Sequence, residues 1–427
     1  MERHQQLSVL LATLVGVLLL VSHMPAAITH PQLYADDGTW YGAALNLGPL
    51  APLVQPVGSY LVTFPRLIAD LALLFPLSYV PLIFNLAGLA VGAIVIAYLL
   101  SSRMKEAIPN MAVRLLVAGL LIAIPNAYDT NINLTNSQWH LALLAFLVLW
   151  ASRPGNARSW ALDATILGVS CMTGPYGLLL WLVAVYRLWL LPKAIWVRVR
   201  FGVVSICTAI QALVILLNLG QQRSSGALGA SLSALIRIIS RQVTIGLLVG
   251  AHGLAYLLTT GIGHNLGLEA LLAILPVAVG GIAVIKGPPV LRAFWVFAAG
   301  ELVLALIAPS IAAPRWPSLA LPADLRHFHP GGIRYFLYPM LALAISLGWA
   351  AAQLRIHPSG VPKMFSAFAG VLVCSMLLVG APLDWVSPPY INYHWASYVA
   401  MYNRDVPGSS VTIPINPRGW SMTIRKQ

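Results

Sequence analysis

Asp36 and Asp37 stand side by side in Tyr34-Ala35-Asp36-Asp37-Gly38-Thr39-Trp40-Tyr41, in a chain of 427 residues that has only 12 Asp and Glu. Adjacent carboxylates repel, so each alters the proton affinity of the other. The pair lies a few residues beyond the first long apolar run, where ionised groups are costly. That placement points to catalysis at a membrane surface. The bland alternative is an acidic loop in which Asp37 caps a helix predicted over 39–47.

A second polar island joins two apolar runs: Asp129, Asn131, Asn133, then Asn136-Ser137-Gln138-Trp139-His140. Side-chain amides both donate and accept, which suits sugar hydroxyls, and Trp139 offers a face for a sugar ring. An ordinary polar turn, with Trp139 in the interfacial aromatic belt, explains the same residues. Gly332-Ile333-Arg334-Tyr335-Phe336 opens a late apolar run, preceded by Arg315, Arg326, His327 and His329. Arginine's planar fork holds phosphate bidentately; the alternative is a side chain snorkelling to lipid phosphates. His327 and His329, with Asp324, lack the further ligand that a metal site needs. Cys171, Cys207 and Cys374 all fall inside apolar runs and predict neither a metal site nor a disulfide framework.

These residues must be positioned by membrane-spanning elements. Hydrophobic residues make up 59% of the chain and charged residues 9%, against about 25% charged in soluble domains; the mean hydropathy is +0.81. The net charge of +13 is spread over short connectors, as topology-setting charge is, and nucleic acid is excluded as a partner. Runs of roughly 17 to 25 apolar residues predict an all-α polytopic protein of about eleven spans, near 7–28, 80–101, 111–126, 137–152, 160–173, 176–192, 201–219, 264–285, 290–309, 334–354 and 364–382. With a cytoplasmic N-terminus, the short cytoplasmic connectors are rich in Lys and Arg, and Asp36, Asp37 and Asp129 share the outer face. Near the inner face, Asp163 is expected to pair with Arg158.

The division that follows is a module over 1–220 with its first outer loop at 29–79, an outer interfacial or re-entrant segment at 221–263, spans over 264–382 enclosing the loop 310–333, and an extracytoplasmic tail at 383–427. Within the first loop, pieces at 39–47 and 59–76 are too short to cross and read as interfacial helices. In the tail, the alternating run at 411–415 predicts a strand.

With its acidic pair after the first span, interfacial helices, a second acidic loop and Arg334 entering a late span, the chain resembles the GT-C superfamily of integral membrane glycosyltransferases. The resemblance implies a GT-C-like bundle in a bacterial inner or plasma membrane, and a polyprenyl-phosphate-linked sugar as donor. It implies a glycan, lipid or protein acceptor and inverting transfer at the outer face, with Asp36 as general base. Asp37 then orients the acceptor, tunes Asp36, or joins it in holding a divalent cation such as Mg or Mn. Asp129, Asn133, Asn136, Gln138, Trp139 and His140 are the expected acceptor or sugar contacts. Arg334, Arg326, His327, His329, Arg315 and Tyr335 are the expected donor-phosphate group. A transporter or flippase of lipid-linked sugars, using Asp163 or Glu301 for coupling, and an O-antigen polymerase or ligase remain as alternatives.

Overall fold

The computed structural model describes residues 2–221, 227–260, 264–308, 315–322, 332–353 and 360–426. The helices that organise it are α1 (Glu2–His23), α2 (Asp37–Leu47), α3 (Thr63–Ala72), α4 (Val80–Leu100), α5 (Met111–Ala123), α6 (Ser137–Trp150), α7 (Ala157–Cys171), α8 (Gly177–Leu190) and α9 (Ile195–Leu217). Then come α10 (Leu232–Thr259), α11 (Leu266–Lys286), α12 (Pro289–Ile307), α13 (Ile333–Ala352) and α14 (Pro362–Leu383), followed by α15 (Trp395–Arg404) and strands β1 (Ser410–Ile415) and β2 (Trp420–Arg425). Among the described residues, eight helices are long and apolar enough to cross a membrane, and α5, α6 and α8 are shorter apolar helices. The protein is a multi-pass membrane protein.

The connectors gather at two ends of the bundle. At one end Thr63 Oγ1 donates to the Met172 carbonyl at 3.0 Å, and Gln211 bonds both Leu61 and Gly174. At the opposite end Arg103 and Arg200 reach Ser152 and Asp163. Asp163 therefore pairs with Arg103 and Arg200, at 2.8 and 2.6 Å, and not with the expected Arg158. Its neighbours come from other helices, which local spacing does not reveal.

Helix α10 is the one whose contacts disagree with its composition. Its length and apolarity suffice for a span, yet both halves bond to the first end. Arg241 pairs with Glu269 in the first turn of α11 at 2.6 Å, and Gln242 donates to the carbonyls of Leu319 and Leu321. Gly250, with φ 75°, breaks the helix. The Asp384 carboxylate fills that break, accepting from the amides of Ala251 at 2.6 Å and Asn126 at 2.7 Å. Both halves of the helix thus bond to residues of this end, and Arg237, Arg241 and its glycines interrupt its apolar run.

The tail returns to the same end. β1 and β2 pair antiparallel, from Ser410 opposite Arg425 to Ile415 opposite Trp420. Their alternation buries Val411, Ile413, Ile415, Met422 and Ile424 against α2 and its neighbours. Gly38 permits this approach, since a Cβ there would lie 2.8 Å from both Ile415 and Met422. Asn416 closes the contact: its carbonyl accepts from Ala35 N at 2.5 Å, and its own N–H donates to the Leu33 carbonyl at 3.1 Å.

Candidate functional site

The two aspartates begin the same helix and meet different surroundings. Asp37 is fully buried. Its Oδ2 accepts from Tyr34 N at 2.9 Å, and its Oδ1 accepts from Thr135 N at 2.9 Å and Thr135 Oγ1 at 2.7 Å. It therefore stitches the first connector to the second polar loop instead of capping α2. Asp36 occupies the N-cap position of α2 but makes no capping bond. It is half-buried, and among the described residues its carboxylate has no hydrogen bond or ion pair. A carboxylate with lone pairs to spare can accept a proton from a bound hydroxyl.

Two non-glycine residues beside the clamp are left-handed: Ala35 at φ 51° and Ile132 at φ 49°. Such conformations cost of order 1–3 kcal/mol and persist where the surroundings overdetermine them. The Asp37–Thr135 bonds and the Ala35–Asn416 bond supply that constraint.

In the second loop, Asp129 is fully buried, and Arg334 Nη1 lies 3.6 Å from its Oδ2. The guanidinium of Arg334 also sits 5.8 Å from the Trp139 ring and 5.0 Å from the Tyr335 ring, and it donates to the Tyr335 hydroxyl at 3.4 Å. These are loose contacts for an arginine whose side chain is 28% exposed, so its fork retains donors for an anion. Burial pushes both Asp37 and Asp129 up to about 7; the Thr135 hydrogen bond opposes the shift at Asp37, and Arg334 opposes it at Asp129. Tyr34 ties the parts together. Its hydroxyl is pushed upward by burial first, then by Asp129, with Arg334 opposing and Asp37 and Asp36 adding. All four charged groups thus act on one tyrosine, which stacks on Tyr390 at 5.6 Å.

Other expected site residues do different work. The Asn133 amide donates to the carbonyls of Asp129 and Asn131, and the Asn136 amide donates to the Asp129 carbonyl at 2.6 Å. Both amides bond carbonyls of their own loop. Trp139 is buried, meets Tyr176 edge-on and lies beneath Arg334, so it backs the arginine and offers no open face to a sugar. His140 is buried within α6. Gln138 keeps a buried Oε1 without a partner. Arg315 is exposed beside the short helix Trp316–Leu319, and no described contact brings it to Asp129. Arg326, His327 and His329 lie outside the described residues.

Residues that spacing did not single out include Thr135, Asn126 and Asp384, whose partners are remote in sequence. A divalent cation at Asp36 and Asp37 does not fit: the three donors on Asp37 point their hydrogens at the oxygens a metal would need. Among the described residues no group of three or more His, Cys, Asp or Glu is placed to hold a metal ion.

No protein-family model and no curated protein matches the chain. Among solved structures it is similar to the oligosaccharyltransferase of Archaeoglobus fulgidus, solved in complex with zinc and sulfate, at 12% identity and a TM-score of 0.42. The match covers 93% of this chain and 56% of that one, so the chain spans little more than half the length of that protein.

Proposed function

We propose that this protein is a GT-C-type membrane glycosyltransferase, a hexosyl- or pentosyltransferase. It moves a sugar from a polyprenyl-phosphate donor to a glycan, glycolipid or protein acceptor on the extracytoplasmic face. The observation that carries the reading is the division of the acidic pair: Asp37 is spent on the fold, while Asp36 keeps a free carboxylate among the described residues. In this scheme Asp36 takes the acceptor hydroxyl proton as that oxygen attacks the anomeric carbon with inversion. The bond from the anomeric carbon to the phosphate oxygen breaks, and the lipid phosphate leaves with the electron pair. Arg334 stabilises the departing charge, while Asp129 and Trp139 hold the guanidinium from behind. The module 1–220 supplies the base, and the helices of 264–382 supply the arginine. Beside them, the tail hairpin packs against α2 and α10 bonds the connector at Asn126.

The test is turnover in proteoliposomes supplied with polyprenyl-monophosphate monosaccharides. Arg334→Ala should lower kcat/KM for the donor about 10- to 100-fold, the weight of one or two charge-assisted phosphate bonds. Unchanged donor kinetics remove Arg334 from the site. Turnover confined to diphosphate-linked oligosaccharides favours the polymerase or ligase class, and lipid movement without a covalent product favours a flippase.

A further inference from the structure

At the end of the bundle opposite Asp36, Arg103 and Arg200 lie against Asp163, and Arg187 shares the Trp196 ring with Arg200. Arg103 and Arg200 both bond the Asp163 carboxylate, and Arg200 is occupied further by the carbonyls of Ala151 and Ser152 at 2.6 and 3.0 Å. Arg187, in the last turn of α8, has no such partners. It is 9% exposed, its Nε is buried without an acceptor, and among the described residues its side chain makes no hydrogen bond or ion pair. Its guanidinium sits 4.7 Å from the Trp150 ring and 5.4 Å from the Trp196 ring. Arg200 lies 4.7 Å from that same Trp196 ring.

Aromatic rings satisfy the face of a guanidinium, whereas its N–H edge still requires acceptors. Three arginines against Asp163 and the exposed Glu106, which acts on Arg187 through space, leave an excess of one positive charge. A planar fork left unpaired at this burial matches a phosphate.

An apolar cavity of about 320 Å³ opens among α4, α5, α6, α12 and α13. Arg187 is not one of its lining residues, but two of them stand one residue or one ring from its neighbours. Phe146 lines the cavity and lies 6.4 Å from the Trp150 ring, and Ala107 lines it directly after Glu106.

We propose that this end holds an anionic phospholipid, with its phosphodiester on Arg187 beside Trp150 and Trp196 and a hydrocarbon chain in the cavity. The occupant is a lipid and not a soluble phosphate, because the unpaired fork is linked through the Trp150 and Phe146 rings to an apolar cavity in a bundle that already lies in lipid. It is anionic because a zwitterionic headgroup brings its own cation and leaves the surplus charge unbalanced. The site is independent of the chemistry proposed at the other end.

The test equilibrates the detergent-purified full chain with phosphatidylglycerol or phosphatidylcholine of identical chains and counts retained lipid by native mass spectrometry. A parallel melting series uses inorganic phosphate. The wild-type protein should retain phosphatidylglycerol about tenfold more than phosphatidylcholine, and Arg187→Gln should remove that preference. Gly348→Leu should also reduce retention by filling the cavity while leaving the arginine intact; a Cβ at Gly348 meets only Leu116, at 3.7 Å. Phosphatidylglycerol should raise the melting temperature by several degrees and inorganic phosphate should not, as a ligand of the native state does. Equal retention of the two lipids, a preference unchanged in Arg187→Gln, or an equal shift with inorganic phosphate overturns the proposal. Should Arg187→Gln fail to fold, the wild-type lipid preference and Gly348→Leu decide it.

Discussion

Burial strips Asp37 of water and three donors replace it, whereas Asp36 stays half-buried and owes no bond to the fold. The sequence marks the pair as unusual, but the division of labour depends on Thr135, 98 residues away, so no local pattern reveals it. The amides of Asn133 and Asn136 teach the same lesson in reverse, since polar residues in a connector turn inward to satisfy its carbonyls. Asp129 carries a pH signature. Its carboxyl is pushed up to about 7 by burial, against about 3.9 in an unfolded chain. Between these values the folded state holds a proton that the unfolded state has released, so this group's contribution to stability falls as pH rises from about 4 to 7 and then levels. Asp37 contributes in the same direction. Melting temperatures at pH 5 and pH 7.5 should therefore show wild type losing more stability across the interval than Asp129→Asn. A difference between the two proteins that does not vary with pH contradicts the assignment.

Apolar helices are legible from their length and the first strand of the hairpin from alternation at 411–415, because both patterns reflect one thickness or one buried face, whereas its partner over 420–425 is not foreseen from the sequence. Close approaches between elements are not legible. Gly88 in α4 is an example: a Cβ there would lie 2.5 Å from the backbone oxygen of Asn133, and backbone cannot rotate away as a side chain can. Gly88→Ala should displace the loop that carries Asp129, with an overpacking cost of about 1–3 kcal/mol. Transfer should fall more than tenfold while circular dichroism shows the helices intact; wild-type turnover would mean that the loop's position does not matter. The glycine alone, met in an apolar run, gives no hint of this role.

At the scale of the molecule, the acidic pair, the polar loop, α10 and the tail hairpin meet at one end, and the Arg103–Asp163–Arg200 cluster marks the other. The distribution of Lys and Arg over short connectors predicts which end faces the cytoplasm. In a background with Cys171, Cys207 and Cys374 replaced, Arg418→Cys in the hairpin turn should react with an impermeant maleimide in sealed right-side-out vesicles. Arg158→Cys should react only after permeabilisation. The reverse pattern would invert the orientation and place the proposed chemistry on the cytoplasmic side.

In the proposed reaction Asp36, and not its buried neighbour, takes the acceptor proton. Sugar transfer from a polyprenyl-phosphate donor, measured for wild type and Asp36→Asn in membranes containing equal amounts of folded protein, decides between them. Loss of a general base costs about 10²- to 10⁴-fold in rate, and a fall of that size with unchanged insertion and melting temperature is the predicted result. Asp36→Asn turning over at the wild-type rate would contradict it.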